Sequence, residues 1–102
     1  MIDLTAYLER QKKWSERTFG IGKRTIGVTK HIEAEIEEIR QEPSNSKEWI
    51  DIIILAVDGY WRSGGDNLEL DLLNKQQKNF MREWPKPESE DVPSMHVRGI
   101  HD

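Results

Sequence analysis

The chain has 102 residues, no cysteine and a formal net charge of −4, with 33% charged and 35% hydrophobic residues. This length suits one domain with a thin core, and the lack of cysteine excludes disulfides and thiolate metal sites. The negative charge argues against direct nucleic-acid binding, which depends on neutralising phosphates. No apolar stretch approaches the roughly 20 residues that span a bilayer, and the N-terminus lacks a signal-peptide pattern. We therefore expect a cytoplasmic protein that does not bind membranes.

The spacing of apolar residues predicts two helices in the first half of the chain. The first is expected over about residues 3–18 and leads into a glycine-containing loop at 19–25. The second is expected over about residues 28–41, where isoleucines recur at helical spacing. Pro43 and the polar residues after it end this helix.

Two further helices and a tail are predicted in the second half. The third helix covers about residues 46–62 and ends at a pair of glycines. The fourth covers about 66–84, with Asp66 and Glu69 at the spacing of a capping box. The segment 85–102 is polar and contains prolines, so we expect an extended tail. The prediction is an all-α domain, a four-helix bundle over residues 1–84, followed by this tail.

Two pairs of acids stand out, Glu35-x-x-Glu38 and Glu48-x-x-Asp51. The spacing places both acids of a pair on one side of a helix. The second pair opens an apolar run over residues 50–57, which predicts that the third helix is buried. Charges near a dry core are costly unless they are paired or bound to a cation. Two facing pairs would form an all-oxygen cage of the kind that Mg²⁺ or Mn²⁺ prefers, although ordinary acidic helices also contain such pairs.

Glu48 and Asp58 each have a second interpretation. Glu48 lies where a capping box with Asn45 and Ser46 would place it, so it could be a structural residue. Asp58 lies two helical turns beyond Asp51, about 10 Å away, which is too far to share one ion. For Asp58 we expect a supporting role, either binding a separate ion or the sugar of a ligand, or pairing with an Arg or Lys.

The flanking residues extend the acid pattern across most of the chain. The motifs are Arg17-Thr18-Phe19-Gly20-x-Gly22-x-Arg24, His31-Ile32-x-x-Glu35-x-x-Glu38-Ile39, Glu48-Trp49-Ile50-Asp51-Ile52-Ile53-Ile54-Leu55-Ala56, Asp58-Gly59-x-Trp61-Arg62 and Asn79-x-x-Arg82-x-Trp84-Pro85. Together they resemble the MazG-like all-α nucleoside triphosphate pyrophosphohydrolases, in particular the dATP/dGTP pyrophosphohydrolase branch. That branch is common in bacteriophages and includes MazZ-like members. The resemblance covers about residues 14–98.

The resemblance implies a MazG-like bundle that converts a purine deoxynucleoside triphosphate, dATP or dGTP, and water to the monophosphate and pyrophosphate. It implies that Glu35, Glu38, Glu48 and Asp51 bind Mg²⁺ or Mn²⁺. Glu35 and Glu38 are then the expected catalytic residues, with Glu38 as the candidate general base. In a phage-encoded protein this chemistry would serve phage nucleotide metabolism in the host cytoplasm.

A triphosphate substrate needs further cations and a place for its base. Lys75, Asn79 and Arg82 share one face of the fourth helix and are candidate phosphate ligands, although a solvated basic face is the plain alternative. In the tail, His96 and Arg98 are candidates to close over a site.

Three aromatic residues, Trp14, Phe19 and Trp61, are candidates to stack on a purine, with packing in the core as the more common role of such residues. Arg24 follows the glycine loop and is a further substrate-binding candidate. The loop itself matches no phosphate-binding signature.

Two predictions concern partners. The apolar third helix is too large a surface for this chain to cover, so we expect a homodimer or a homotetramer. The competing functional class is a non-enzymatic small acidic helical interaction protein, such as a phage-type inhibitor or a partner-binding module. That class accounts for the charge and the helices, but it does not account for acids aligned along an apolar helix.

Overall fold

The structure is a computed structural model, and it describes residues 1–95. This part of the chain contains four α-helices and no strand: α1 (Leu4–Phe19), α2 (Thr25–Gln41), α3 (Lys47–Arg62) and α4 (Leu68–Met81). The predicted all-α class and the four helices are confirmed. The largest differences from the predicted limits are the start of α2, at Thr25, and the end of α4, at Met81.

The ends of α1 follow from local chemistry. Asp3 caps the N-terminus because its carboxylate accepts a hydrogen bond from the Ala6 amide at 3.2 Å. Gly20 ends the helix with a φ of +96°, a conformation that residues with a side chain rarely adopt. Its amide donates to the Glu16 carbonyl at 2.9 Å, which satisfies one of the last carbonyls of the helix.

The capping of α4 differs from the prediction. Asn67, not Asp66, is the N-cap, and its side-chain oxygen accepts from the Leu70 amide at 3.0 Å. Asp and Asn are both favoured at the N-cap, so the sequence alone did not show which of these two neighbours caps the helix. At the other end, the Trp84 indole donates to the Asn79 carbonyl at 2.7 Å, just past the last helical turn.

The chain forms two compact units, Met1–Asp66 and Asn67–Asp102. The first contains α1, α2 and α3, and its main helix pairing is that of α2 with α3. The second contains α4 and the segment after it, in which the Ser94 hydroxyl donates to the Pro85 carbonyl. The division into a helical domain over 1–84 and a tail over 85–102 stays a prediction.

The apolar core of a single chain is very small. Among the described residues, Val28 is the one buried hydrophobic residue, at 4% exposure. The prediction that α3 is buried is wrong for the single chain, since Trp49, Ile50 and Ile53 are each more than 50% exposed. The helix packs on α2, and a chain of this length buries only a small apolar core. In the described part of the chain, no helix combines the length and hydrophobicity needed to cross a membrane.

Candidate active site

Three of the four predicted acids form a cluster between α2 and α3. Glu35, Glu38 and Glu48 each place a carboxylate oxygen within 4.8 Å of the other two. Glu35 and Glu38 are about one turn apart on α2, and Glu48 lies in the first turn of α3. The short connection through Pro43 brings these helix ends together. The first acid pair and one acid of the second therefore converge, and the binding of a metal by these residues stays a prediction.

Two carboxylate oxygens of this cluster are buried without a hydrogen-bond partner in the described part of the chain. Oε2 of Glu35 and Oε2 of Glu48 are both buried and accept no hydrogen bond within the described structure. Burial, followed by the hydrogen bond and the negative charge of Glu38, raises the pKa of Glu35 above its ordinary value. The hydrogen bond with Glu38, followed by burial, raises the pKa of Glu48 in the same direction. Converging hard oxygen donors with unpaired lone pairs fit a divalent cation such as Mg²⁺ or Mn²⁺.

Asp51, the fourth predicted ligand, lies beside the cluster and is not part of it. Its side chain is exposed, and its charge contributes to the raised pKa values of Glu35 and Glu48. The alternative role of Glu48 in a capping motif is realised in part. Ser46 makes no side-chain capping bond, but the Asn45 side-chain oxygen accepts from the Lys47 amide at 3.2 Å. The Asn45 side-chain nitrogen lies 3.4 Å from Glu48 Oε1, so Glu48 contacts this capping residue as well as belonging to the cluster.

A cavity of about 580 Å³ opens next to the cluster, and Glu35 and Asp51 contribute to its wall. Residues from α1, α2, α3 and the α1–α2 turn line it: Gln11, Trp14, Ser15, Phe19, Arg24, Gly27, Val28, His31, Glu35, Asp51, Ile54, Leu55 and Asp58. The predicted substrate-binding residues Trp14, Arg24 and Asp58 are therefore brought together around one space. This volume is in the range of small-molecule sites.

One wall of the cavity is aromatic and basic. The rings of Trp14 and Phe19 meet edge to face, with centroids 5.5 Å apart. The Arg24 guanidinium lies 4.9 Å from the centroid of the Phe19 ring. Trp61 is not among the lining residues, and its ring lies 5.2 Å from the Lys12 ammonium instead. The cavity thus combines flat apolar surface with a cation on one side and carboxylates on the other.

Asp58 is buried and pairs with a cationic side chain, that of Arg62, as one of the predicted alternatives required. The Arg62 Nε donates to Asp58 Oδ2 at 2.8 Å, and the Ser15 hydroxyl donates to Oδ1 at 2.5 Å. Both carboxylate oxygens are therefore engaged within the protein. A direct role of Asp58 towards a substrate sugar or a separate ion stays a prediction.

Local sequence patterns did not reveal the contacts made by Ser15, Arg62 and His31. Ser15 is buried on α1, and His31 Nε2 lies 3.4 Å from Glu35 Oε1. Arg62 follows Asp58 by four residues, a spacing that allows an ion pair on one helix face. That spacing was the one local signal available, because the contact with Ser15 joins residues far apart in the chain.

The remaining predicted residues lie elsewhere. Lys75 is exposed on α4, and the Arg82 side chain lies 3.5 Å from the Asn79 side-chain oxygen. All three belong to the second unit, and their contact with phosphate stays a prediction. His96 and Arg98 lie outside the described residues.

Comparison with known proteins supports one assignment. Neither the curated proteins nor the solved structures contain a match to this chain. A family model described as dATP/dGTP pyrophosphohydrolase matches residues 7–101, which includes the acid cluster, the cavity and α4. Taken with the all-α fold and the converging carboxylates, this match means that the chain belongs to the dATP/dGTP pyrophosphohydrolase family and is a nucleoside triphosphate diphosphatase.

Proposed function

We propose that this enzyme hydrolyses the bond between the α- and β-phosphates of dATP and dGTP, releasing the monophosphate and pyrophosphate, with Mg²⁺ or Mn²⁺ held by its acids. The observation that carries the proposal is the cluster of Glu35, Glu38 and Glu48 beside a nucleotide-sized cavity. In this proposal Asp51, at the cavity wall, completes the set of metal ligands.

The need for a cation follows from charge. A triphosphate approaching a group of carboxylates is repelled, and the pKa values of Glu35 and Glu48 are already raised, by burial first for Glu35 and by the interaction with Glu38 first for Glu48. When bound, a divalent cation offsets the phosphate charge and lowers the pKa of a water molecule. The buried, unpartnered oxygens of Glu35 and Glu48 are the donors best prepared to hold it.

Glu38 is the proposed general base. It is more exposed than Glu35, and its carboxylate lies within 4.8 Å of those of Glu35 and Glu48, which supports a role in activating a water next to the cluster. Its carboxylate would accept the proton that the water loses as the new bond to phosphorus forms. The leaving pyrophosphate departs on the opposite side of that phosphorus.

The aromatic and basic wall supports binding of a purine nucleotide. Trp14 and Phe19 offer ring surface for stacking on a base, and Arg24 offers a fixed donor to an acceptor on the base or to a phosphate. Nucleotide binding would distinguish this enzyme from the competing class, a non-enzymatic interaction protein, which requires no nucleotide-binding cavity. Membership of a hydrolase family likewise disfavours that alternative.

We place the activity in phage nucleotide metabolism, in the host cytoplasm, because the sequence motifs are those of a branch common in bacteriophages. The proposal also includes assembly as a homodimer or homotetramer. The exposed apolar face of α3, formed by Trp49, Ile50 and Ile53, supports this, since water contact with so much apolar surface is unfavourable.

A product assay tests the proposed reaction. The purified protein is incubated with each of the common nucleoside and deoxynucleoside triphosphates in Mg²⁺ or Mn²⁺, and pyrophosphate is resolved from orthophosphate. We expect pyrophosphate from dATP and dGTP, none in EDTA, and a loss of at least about 100-fold in Glu48→Gln. Glu37→Gln is the matched control, because Glu37 is an exposed acid on α2 that pairs with Arg40. Release of orthophosphate, or full activity in EDTA, would rule the proposal out.

A further inference from the structure

Arg62, at the end of α3, joins three parts of the first unit. Its side chain is 2% exposed, and every nitrogen of the guanidinium donates a hydrogen bond. Nε binds Asp58 at 2.8 Å, and Nη2 binds the Ser15 hydroxyl of α1 at 2.9 Å. Nη1 donates to two carbonyl oxygens of the α1–α2 turn, Gly20 at 2.8 Å and Gly22 at 2.9 Å.

The turn that Arg62 holds has an unusual backbone. Gly20 and Gly22 have φ values of +96° and +99°, which residues with a side chain rarely adopt. With these two glycines in positive-φ conformations, the Gly20 and Gly22 carbonyls both point towards Nη1 of Arg62. A free turn of this composition has many accessible conformations, so the pair of hydrogen bonds selects one of them.

The selected conformation places two residues of the cavity wall. Phe19 immediately precedes the turn and Arg24 is its last residue, and the Arg24 guanidinium lies 4.9 Å from the centroid of the Phe19 ring. Both line the 580 Å³ cavity, whereas the Arg62 side chain does not. Arg62 thus lies outside the cavity and contacts the backbone of the turn between these two wall residues.

We propose that Arg62 is a positioning residue that fixes the Phe19–Arg24 wall in the shape that accepts the nucleotide. Asp58 and Ser15 orient the guanidinium, and Nη1 transmits that orientation to the turn. Only a planar side chain with several fixed donors reaches a carboxylate, a hydroxyl and two carbonyls at once, and lysine has one nitrogen for all of them. The inference rests on the proposed function, because it concerns how the nucleotide is bound in that site.

The first test is the kinetics of Arg62→Lys. This variant keeps the positive charge next to Asp58 and loses the planar set of donors that reaches the turn. We expect KM for dATP to rise about tenfold while kcat stays within about twofold, the pattern of lost substrate binding. Mn²⁺ affinity, measured by calorimetry without nucleotide, should stay at the wild-type value, since the acid cluster is untouched. Arg40→Lys, an exposed arginine of α2, is the matched control and should change neither constant.

A second variant separates the turn from the buried ion pair. Gly22→Ala leaves Arg62 and Asp58 intact, and a Cβ at Gly22 would meet no atom within 4 Å, so its effect comes from the backbone alone. We expect the same rise in KM with Asp58 and its partners unaltered. Amide hydrogen exchange over residues 20–24 should accelerate in both variants and not in the control.

The outcomes distinguish this proposal from the proposed function. If the wild-type protein releases no pyrophosphate and binds no α,β-methylene dATP in calorimetry, both proposals are wrong. If the wild type is active and folded Arg62→Lys keeps its KM, or the exchange of residues 20–24 does not change, the positioning role is wrong and the proposed function stands. An equal loss of kcat and Mn²⁺ affinity would also overturn it, because that result indicates damage to the acid cluster instead.

Discussion

Glu35 and Glu48 hold their protons more tightly in the folded chain than an exposed glutamate does. Their pKa values are raised by burial and by contact with Glu38, and in neither case does a cationic side chain fully compensate. Only His31, at 3.4 Å from Glu35, acts in the opposite direction on Glu35. Linkage then relates the proton affinity of these residues to stability.

This linkage predicts how the stability of the metal-free protein depends on pH. Because the folded pKa values are raised, the stabilising contribution of these groups is complete below the unfolded glutamate pKa of about 4.3 and is lost as pH rises through the folded values. In EDTA, Glu35→Gln should lose less stability than the wild type over this rise, measured by thermal melts at successive pH values. Glu37→Gln should follow the wild type. Parallel curves for all three proteins would contradict the assigned burial.

Addition of Mn²⁺ should reverse the slope of stability against pH. Cation binding requires ionised carboxylates, so the stabilisation by Mn²⁺ grows as pH rises. At a hundredfold excess of Mn²⁺ over Kd, a site present only in the folded state contributes about 2.7 kcal/mol. Thermal melts of the wild type and of Glu48→Gln at neutral pH check this, and an identical Mn²⁺ response in both would exclude Glu48 as a ligand.

Asp51 and Asp58 share a face of α3 and are expected to respond differently to the loss of charge. Asp51→Asn should keep the fold and lose most metal binding and activity, because the amide keeps the shape and removes the charge. Asp58→Asn should reduce activity less and lower the free energy of unfolding by about 1–3 kcal/mol, since a buried Arg62 loses its charged partner. Activity assays and urea unfolding of both variants measure the difference. Wild-type turnover by Asp51→Asn would show that Asp51 is not a metal ligand of the active site.

At the scale of the element, the helices follow the sequence closely and their ends follow it less well. Helical spacing identified each helix because periodicity is a property of neighbours in the chain. The caps depend on which of several suitable side chains reaches an amide, as at Asp66 and Asn67. Asn67 makes the bond because its non-helical backbone, with a φ of −144°, brings the side chain within reach of the Leu70 amide.

The capping of α4 is testable by a pair of neighbouring variants. Asn67→Ala should destabilise α4 by about 1 kcal/mol, the usual cost of losing an N-cap, while Asp66→Ala should cost less. Hydrogen exchange of the first turn of α4 reports the local effect in each variant. A larger effect from Asp66→Ala would instead support the predicted capping box of Asp66 and Glu69.

At the scale of the whole molecule, the exposed face of α3 governs the expected behaviour in solution. Trp49, Ile50 and Ile53 lie on a helix whose other face already packs on α2. Light scattering at micromolar concentration should give a dimer or tetramer for the wild type. Ile53→Glu should shift it towards the monomer, since a buried, unpaired carboxylate at an interface is costly. Ile2→Glu, an exposed apolar residue before α1, is the control, and a stable wild-type monomer would refute the assembly.

The sequence by itself determined the all-α class, the four helices, the pairing of acids on each helix and the family. These features depend on residues three or four apart, or on motifs that occur as linear strings. Tertiary structure alone decided that Glu35, Glu38 and Glu48 converge while Asp51 stays beside them. It also decided that Asp58 pairs with Ser15, 43 residues away, and that Arg62 holds a turn 40 residues before it. Such contacts depend on how helices pack against one another, and packing is not encoded in local spacing.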